Sequence, residues 1–119
     1  MPRKPWVSDF VNDALGRAPP KAPKALAPDD YPRCSGVYFL QAGSTQSPVK
    51  IGFGANIRQR IQHLQVAHPS KLRLLGYERI DEVDLALREY ELHQKFARFH
   101  IRGEWFDVGV MKYVRYIGE

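Results

Sequence analysis

Four residues of this 119-residue chain have types and spacing that suit phosphodiester chemistry: Tyr38, Lys50, Arg60 and Glu89. Glu89 is the most telling. At helical spacing, Leu85, Glu89, Leu92 and Phe96 share one face, and a carboxylate inside an apolar stripe is costly unless it is paired or bound to metal. A single carboxylate suits Mg²⁺ (or Mn²⁺), an ion that keeps much of its own hydration shell. The competing reading is a buried ion pair with Arg60 or Lys50. Tyr38 follows Gly36-Val37 at the start of an apolar run. A phenol with a pKa of about 10 is a poor base at neutral pH and needs a nearby cation. Lys50, in the run Lys50-Ile51-Gly52, is a candidate for that cation or for a phosphate contact; an exposed strand lysine is the plain alternative. Arg60 lies beside Ile57 and Leu64 on a helical wheel, so its stem can cross apolar surface and present the guanidinium at the sheet. A strand tyrosine, a glycine turn, a helix arginine and a lone helix carboxylate are the parts of a one-metal phosphodiesterase.

Around these four stand candidate substrate contacts. Gly52 permits a turn and close approach of a ligand to the backbone. Phe53 has an aromatic face for a base, or packs. Arg58 lies on the other edge of its helix, suited to substrate backbone or solvent. His63 sits one turn after Arg60, and Lys71 belongs to the same basic stretch. His93, one turn after Glu89, reads as a structural histidine first and a proton relay second. Trp105 reads as a core anchor, and Glu104 as the partner of a core arginine.

The elements that must position these residues are legible from pattern. Gly36 to Gln41 and Pro48 to Gly52 read as a hairpin of two strands around a polar loop. Ala55 to Ala67 reads as a helix with Ile57, Ile61 and Leu64 on its apolar stripe, ended by His68-Pro69. A third strand is expected from about Leu72 to Ile80. A second helix, capped by Asp81, is expected to run to about Phe99. Gly103 breaks the chain, Glu104 to Asp107 forms a short strand or turn, and a terminal helix is expected from about Val110 to Ile117. The expected fold is a small α+β domain, β-β-α-β-α-α, with a mainly antiparallel three-stranded sheet flanked by helices.

Residues 1–35 differ in composition. They hold seven of the nine prolines, and Ala18 to Lys24 reads as an extended linker. A short helix from Ser8 to Leu15 would put Trp6, Phe10 and Ala14 on one face, and such a segment is stable only when docked. It could dock on the domain, on a sister chain or on another protein. The expected organisation is therefore a Pro-rich extension, 1–35, and one domain, 36–119.

Composition bounds the rest. A hydrophobic fraction of 44% supports one modest core. No apolar run reaches transmembrane length, and no apolar segment follows the basic start at Arg3-Lys4, so neither a membrane partner nor a signal peptide is expected. The single Cys34 excludes an internal disulfide and suits the reducing cytoplasm. The net charge is +5, and from Gly36 to Tyr77 there are five Lys and Arg and no acid. Such a block favours a polyanionic partner, although an ordinary solvated face accounts for it equally well.

The motifs Gly36-Val37-Tyr38, Lys50-Ile51-Gly52, Asn56-Ile57-Arg58-Gln59-Arg60, Glu89 three before Leu92, and Gly103-Glu104-Trp105-Phe106 occur in an order that resembles the GIY-YIG nuclease superfamily. The chain looks most like the branch with K-I-G as its second motif and a G-E-W-F ending, the meiotically up-regulated gene or phage T5 open-reading-frame type of domain. The resemblance implies a metal-dependent endonuclease acting on DNA. It implies that Glu89 holds Mg²⁺ or Mn²⁺, that Arg60 binds the scissile phosphate and that Tyr38, assisted by Lys50, activates water. The chain departs from the superfamily at Lys50, where most relatives have tyrosine, at Phe53, and in lacking a late asparagine. Those departures keep open a non-catalytic module that binds nucleic acid or a protein partner on the same fold.

Overall fold

The run Val37 to Leu40 is apolar at every position because its strand is covered on both faces. This strand, β1 (Gly36–Ala42), lies inside the sheet. It pairs antiparallel with β2 (Val49–Gly54) on one side and with β3 (Leu72–Arg79) on the other. The computed structural model describes residues 25–113. The helix α1 (Ile57–Ala67) follows β2, and its start is set by Asn56, whose side chain accepts from the Gln59 amide at 3.0 Å. The helix α2 (Leu85–Lys95) follows β3.

Among the described residues the sheet has five strands rather than the expected three, in the order β3-β1-β2-β5-β4. The added strands are β4 (His100–Arg102) and β5 (Trp105–Phe106). Gly103, at a φ of 53°, turns the chain between them. Strands of three and two residues are too short for alternation to announce them; they form because β5 docks on β2 at Val49↔Phe106 and Lys50↔Trp105.

The second helix is also shorter than expected. Asp81 makes no side-chain cap, and a 3-10 turn, Glu82–Asp84, comes first. At the other end the backbone leaves helical geometry at Phe96, whose ring stays fully buried. A 3-10 turn, Ala97–Phe99, leads into β4. In place of the expected terminal helix the described residues hold a 3-10 segment, Val108–Tyr113.

Two cores sandwich the sheet. Val37, Phe39, Ile51, Leu92, Phe96 and Phe106 pack between the sheet and α2. Tyr38, Leu40, Leu74, Ile57 and Ile61 pack between the sheet and α1, joined by Tyr31. The latter part of the Pro-rich stretch thus packs on the domain. The Leu26 amide donates to Leu74 O at 2.9 Å, and Arg58 donates to the carbonyls of Tyr31 and Asp29 at 2.9 and 2.6 Å. The segments Ser8 to Leu15 and Ala18 to Lys24 lie outside the described residues. No helix among the described residues is long and apolar enough to cross a membrane.

Candidate active site

The site forms where β2 outruns its neighbour. β5 pairs with β2 only at Val49 and Lys50. One residue on, the Ile51 amide donates to the Glu104 carbonyl at 2.9 Å, and the Ile51 carbonyl accepts from His93 Nε2 at 3.0 Å. Beyond Ile51, β5 no longer covers β2. A cleft of about 280 Å³ opens there, lined by Tyr38, Phe53, Gly54, Arg60, Glu89 and Glu104.

Glycines hold the cleft's walls close together. Tyr38 stands opposite Gly52 in the β1–β2 register. A Cβ on Gly52 would lie 2.7 Å from the Tyr38 hydroxyl and 3.0 Å from Glu104 Oε1, too close for any larger residue. A Cβ on Gly54 would lie 3.1 Å from Arg60 Cβ, so the Arg60 stem crosses the strand at that glycine. The Gly-Phe-Gly run therefore lays a phenol and the stem of an arginine against bare backbone.

Tyr38 is buried, and burial raises its phenol above the ordinary value. A hydrogen bond and the positive charge of Arg60 pull it back, while Glu104 and Glu89 push it up. The balance keeps the hydroxyl protonated at neutral pH. Lys50 is not the cation that answers Tyr38; Arg60 is. Lys50 is instead held by Glu104, with Nζ 2.9 Å from Oε1, and it lies 5.6 Å from the centre of the Trp105 ring. The register explains the difference: Lys50 faces Leu40, one pleat away from Tyr38 on the same face.

Glu89 reaches the cleft from α2. Burial raises its carboxyl above the ordinary range, Glu104 adds to the rise, and His93 and Lys50 partly offset it. Its Oε2 is buried and has no hydrogen-bond partner. Neither expected ion pair, with Arg60 or with Lys50, forms among the described residues. A buried carboxylate oxygen left unanswered is unstable without a counter-charge, and a hydrated divalent cation fits that need with one direct protein ligand. No group of three or more His, Cys, Asp or Glu that could hold a metal occurs among the described residues. Any cation here would therefore rely on Glu89, its own waters and the substrate.

Other expected contacts lie elsewhere. Arg58 is not at the cleft: its guanidinium is bonded to the Tyr31 and Asp29 carbonyls. His63 and Lys71 are exposed, and neither lines the cleft. Phe53 does line it and is 36% exposed.

Gly54 went unread in the sequence, Glu104 was read with a different partner, and His93 was read as structural. Glu104 answers Lys50 rather than an arginine, and it lines the cleft because the Gly103 turn brings it back to β2. Gly54 seats Arg60; its signal was the second glycine of Gly52-Phe53-Gly54. His93 donates from Nε2, so the proton sits on that nitrogen. Its ring packs edge-on against Phe106 at 4.9 Å. Trp105 is half-buried rather than a core anchor, with His68 6.4 Å away.

A family model described as T5orf172 domain matches residues 35–118, most of the chain. No curated protein matches the chain, and no solved structure matches it.

Proposed function

The chain belongs to the T5orf172 domain family, a nuclease-associated family, and from that premise we propose that it hydrolyses phosphodiester bonds in DNA with the help of one divalent cation. The observation that carries the reading is the buried, unpartnered Oε2 of Glu89 in the cleft that Tyr38 and Arg60 also line. Glu89 would hold Mg²⁺ or Mn²⁺. When bound, such an ion supplies Lewis-acid stabilisation of charge on the phosphate and the leaving oxygen.

The chain's own residues do the rest. Arg60 binds a non-bridging oxygen of the scissile phosphate and stabilises the added charge of the transition state. Tyr38, neutral at pH 7, orients the attacking water. Its phenol oxygen takes the proton that water gives up as its own proton leaves toward Glu104. Glu104 Oε1 is an acceptor set against the same point above Gly52 as the hydroxyl. Lys50 holds Glu104 in place and adds positive charge where a phosphate approaches. Phe53, at the mouth, shields the cleft from water and offers a ring to a neighbouring base.

The test is nicking of plasmid and single-stranded circular DNA with Mg²⁺ or Mn²⁺, against the same reactions in chelator. Wild type should cut only with metal, and Glu89→Ala should not cut. Cutting by Glu89→Ala, or no cutting by wild type with either ion, overturns the reading. Salt-sensitive binding without any cutting would make the domain a nucleic-acid-binding module instead.

A further inference from the structure

We infer that a second cleft beside the active one receives an unpaired base of the strand being cut, which makes single-stranded DNA the substrate; the inference rests on the nuclease reading above. The second cleft has a volume of about 310 Å³, and its walls include Trp105, Pro48, Ile101 and Arg102. Trp105 pairs directly with Lys50 across β5 and β2, and Lys50 pairs directly with Leu40 across β2 and β1. Directly paired residues put their side chains on one face, and residues two apart on a strand share a face. Trp105, Lys50 and Tyr38 therefore stand on the same side of the sheet.

Lys50 and Gly52, the residue facing Tyr38, are two apart on β2, a step of about 7 Å. That step is comparable to the distance between neighbouring nucleotides of an extended strand. The Lys50–Glu104 pair stands between the two clefts, with Lys50 Nζ near the Trp105 ring. A strand with its scissile phosphate at Arg60 would thus bring a neighbouring base to Trp105.

The chemistry of the second cleft suits a base. The indole, the Pro48 ring and the Ile101 side chain make an apolar slot, in which Ile101 is 53% exposed. Arg102 is exposed and carries positive charge for a phosphate. Strands β1 and β2 belong to the stretch from Gly36 to Tyr77 that has no acid, and the nearby Glu104 is answered by Lys50. Phe53 gives the active cleft an aromatic ring of its own. Aromatic platforms separated by positive charge hold single strands of any sequence, because every base has a stacking face. Bases already stacked and paired in a duplex cannot enter such a slot.

The test uses the full chain with Trp6→Phe, which leaves Trp105 as the only tryptophan. A short oligothymidylate and the same strand annealed to its complement are titrated in chelator at low salt. Trp105 fluorescence and the anisotropy of a labelled strand are read together. The single strand should quench Trp105 with the same midpoint as the anisotropy change, and should bind at least about fivefold tighter than the duplex. Ile101→Ser and Trp105→Ala should each weaken single-strand binding by about fivefold or more. Ile101→Ser, a surface change, should do so with an unaltered thermal transition, which covers the case in which Trp105→Ala fails to fold. Equal or tighter duplex binding, binding without a Trp105 signal, or normal affinity in Ile101→Ser overturns the inference. Metal-dependent cutting of duplex alongside any of these results would leave the nuclease reading standing. Single-strand binding with no cutting under any metal would do the opposite.

Discussion

Glu78 and Glu89 are two carboxylates set into the same small domain, and the fold treats them in opposite ways. Glu78, on β3, is 3% exposed, and its Oε1 lies 2.8 Å from Arg88 Nε. Glu89 is the very next residue after that arginine on α2, less buried as a whole, yet its Oε2 is enclosed without a partner. One helix thus answers one acid completely and leaves the next one short. Helical geometry makes this possible, because successive side chains point about 100° apart. Arg88 turns to β3 while Glu89 turns to the β2 edge. A buried acid that only holds the fold together is answered by a fixed cation. An acid left unanswered beside a cleft is kept for something that arrives later.

The largest effects should separate the two acids by function. Glu89→Gln should bring metal-dependent cleavage down to background, and Arg60→Ala should cost about a hundredfold in the single-turnover rate. Circular dichroism should show both variants folded. If Glu89→Gln still cleaves, the unanswered oxygen has no role in the chemistry, and the contrast with Glu78 is an accident of packing.

Next in size is the structural arm. Arg88→Ala removes a charged partner from a buried carboxylate and should lower the unfolding free energy by about 3 kcal/mol or more. Glu91, which Arg88 also reaches at 3.1 Å, is exposed and should contribute little of that loss. Urea unfolding of Arg88→Ala and Glu91→Gln checks the division. A small loss in Arg88→Ala would mean that Glu78 is held by its other surroundings.

Smaller, and diagnostic by sign, is the pH dependence. The folded state raises the Glu89 carboxyl above its ordinary range, chiefly through burial. The folded protein therefore binds that proton more tightly than the unfolded chain. The associated stability is complete below the ordinary carboxylate range and is lost as pH rises through the elevated value. Glu89→Gln should flatten this part of the stability profile and be as stable as wild type, or more so, at neutral pH. Added Mg²⁺ should raise the melting temperature of wild type at neutral pH and leave that of Glu89→Gln unchanged. A wild type indifferent to Mg²⁺ would count against Glu89 as a metal ligand.

Much of this contrast could be read before the structure, and the part that could not has a physical reason. Leu85, Leu92 and Phe96 fall on the helical stripe that periodicity assigns them, so Glu89 was found by being out of place among them. Strand alternation and the edge of a helical stripe are local properties and placed Tyr38 and Arg60, while their roles came from the family resemblance. What pairs with what is not local. Lys50 looked available to Tyr38, and only the β1–β2 register and the return of the chain at Gly103 commit it to Glu104. The short strands β4 and β5 carry too few residues for a period of two to show. Arg58 and Arg60 could be read on different edges of α1, but that Arg58 is tied to the Tyr31 and Asp29 carbonyls depends on residues distant in sequence.

Those two arginines give the smallest and last contrast. Arg58 donates to the Tyr31 and Asp29 carbonyls, and Tyr31 is buried in the core that α1 shares with the sheet. Hydrogen bonds from a charged donor to backbone are worth more than neutral ones, but Arg58 is half-exposed and its bonds compete with water. Arg58→Ala should therefore cost about 1–2 kcal/mol of stability, with cleavage at saturating enzyme nearly unchanged, the reverse of Arg60→Ala. The same contact orders two truncations. A chain beginning at Ala25 keeps the Leu26–Leu74 bond, Tyr31 and the Arg58 clamp, and should melt cooperatively near wild type. A chain beginning at Arg33 loses all three, exposes the α1 core and should melt earlier than Arg58→Ala. If both truncations melt alike, residues 25–32 merely lie on the domain, and Arg58 is free to serve the substrate as its edge of α1 first suggested.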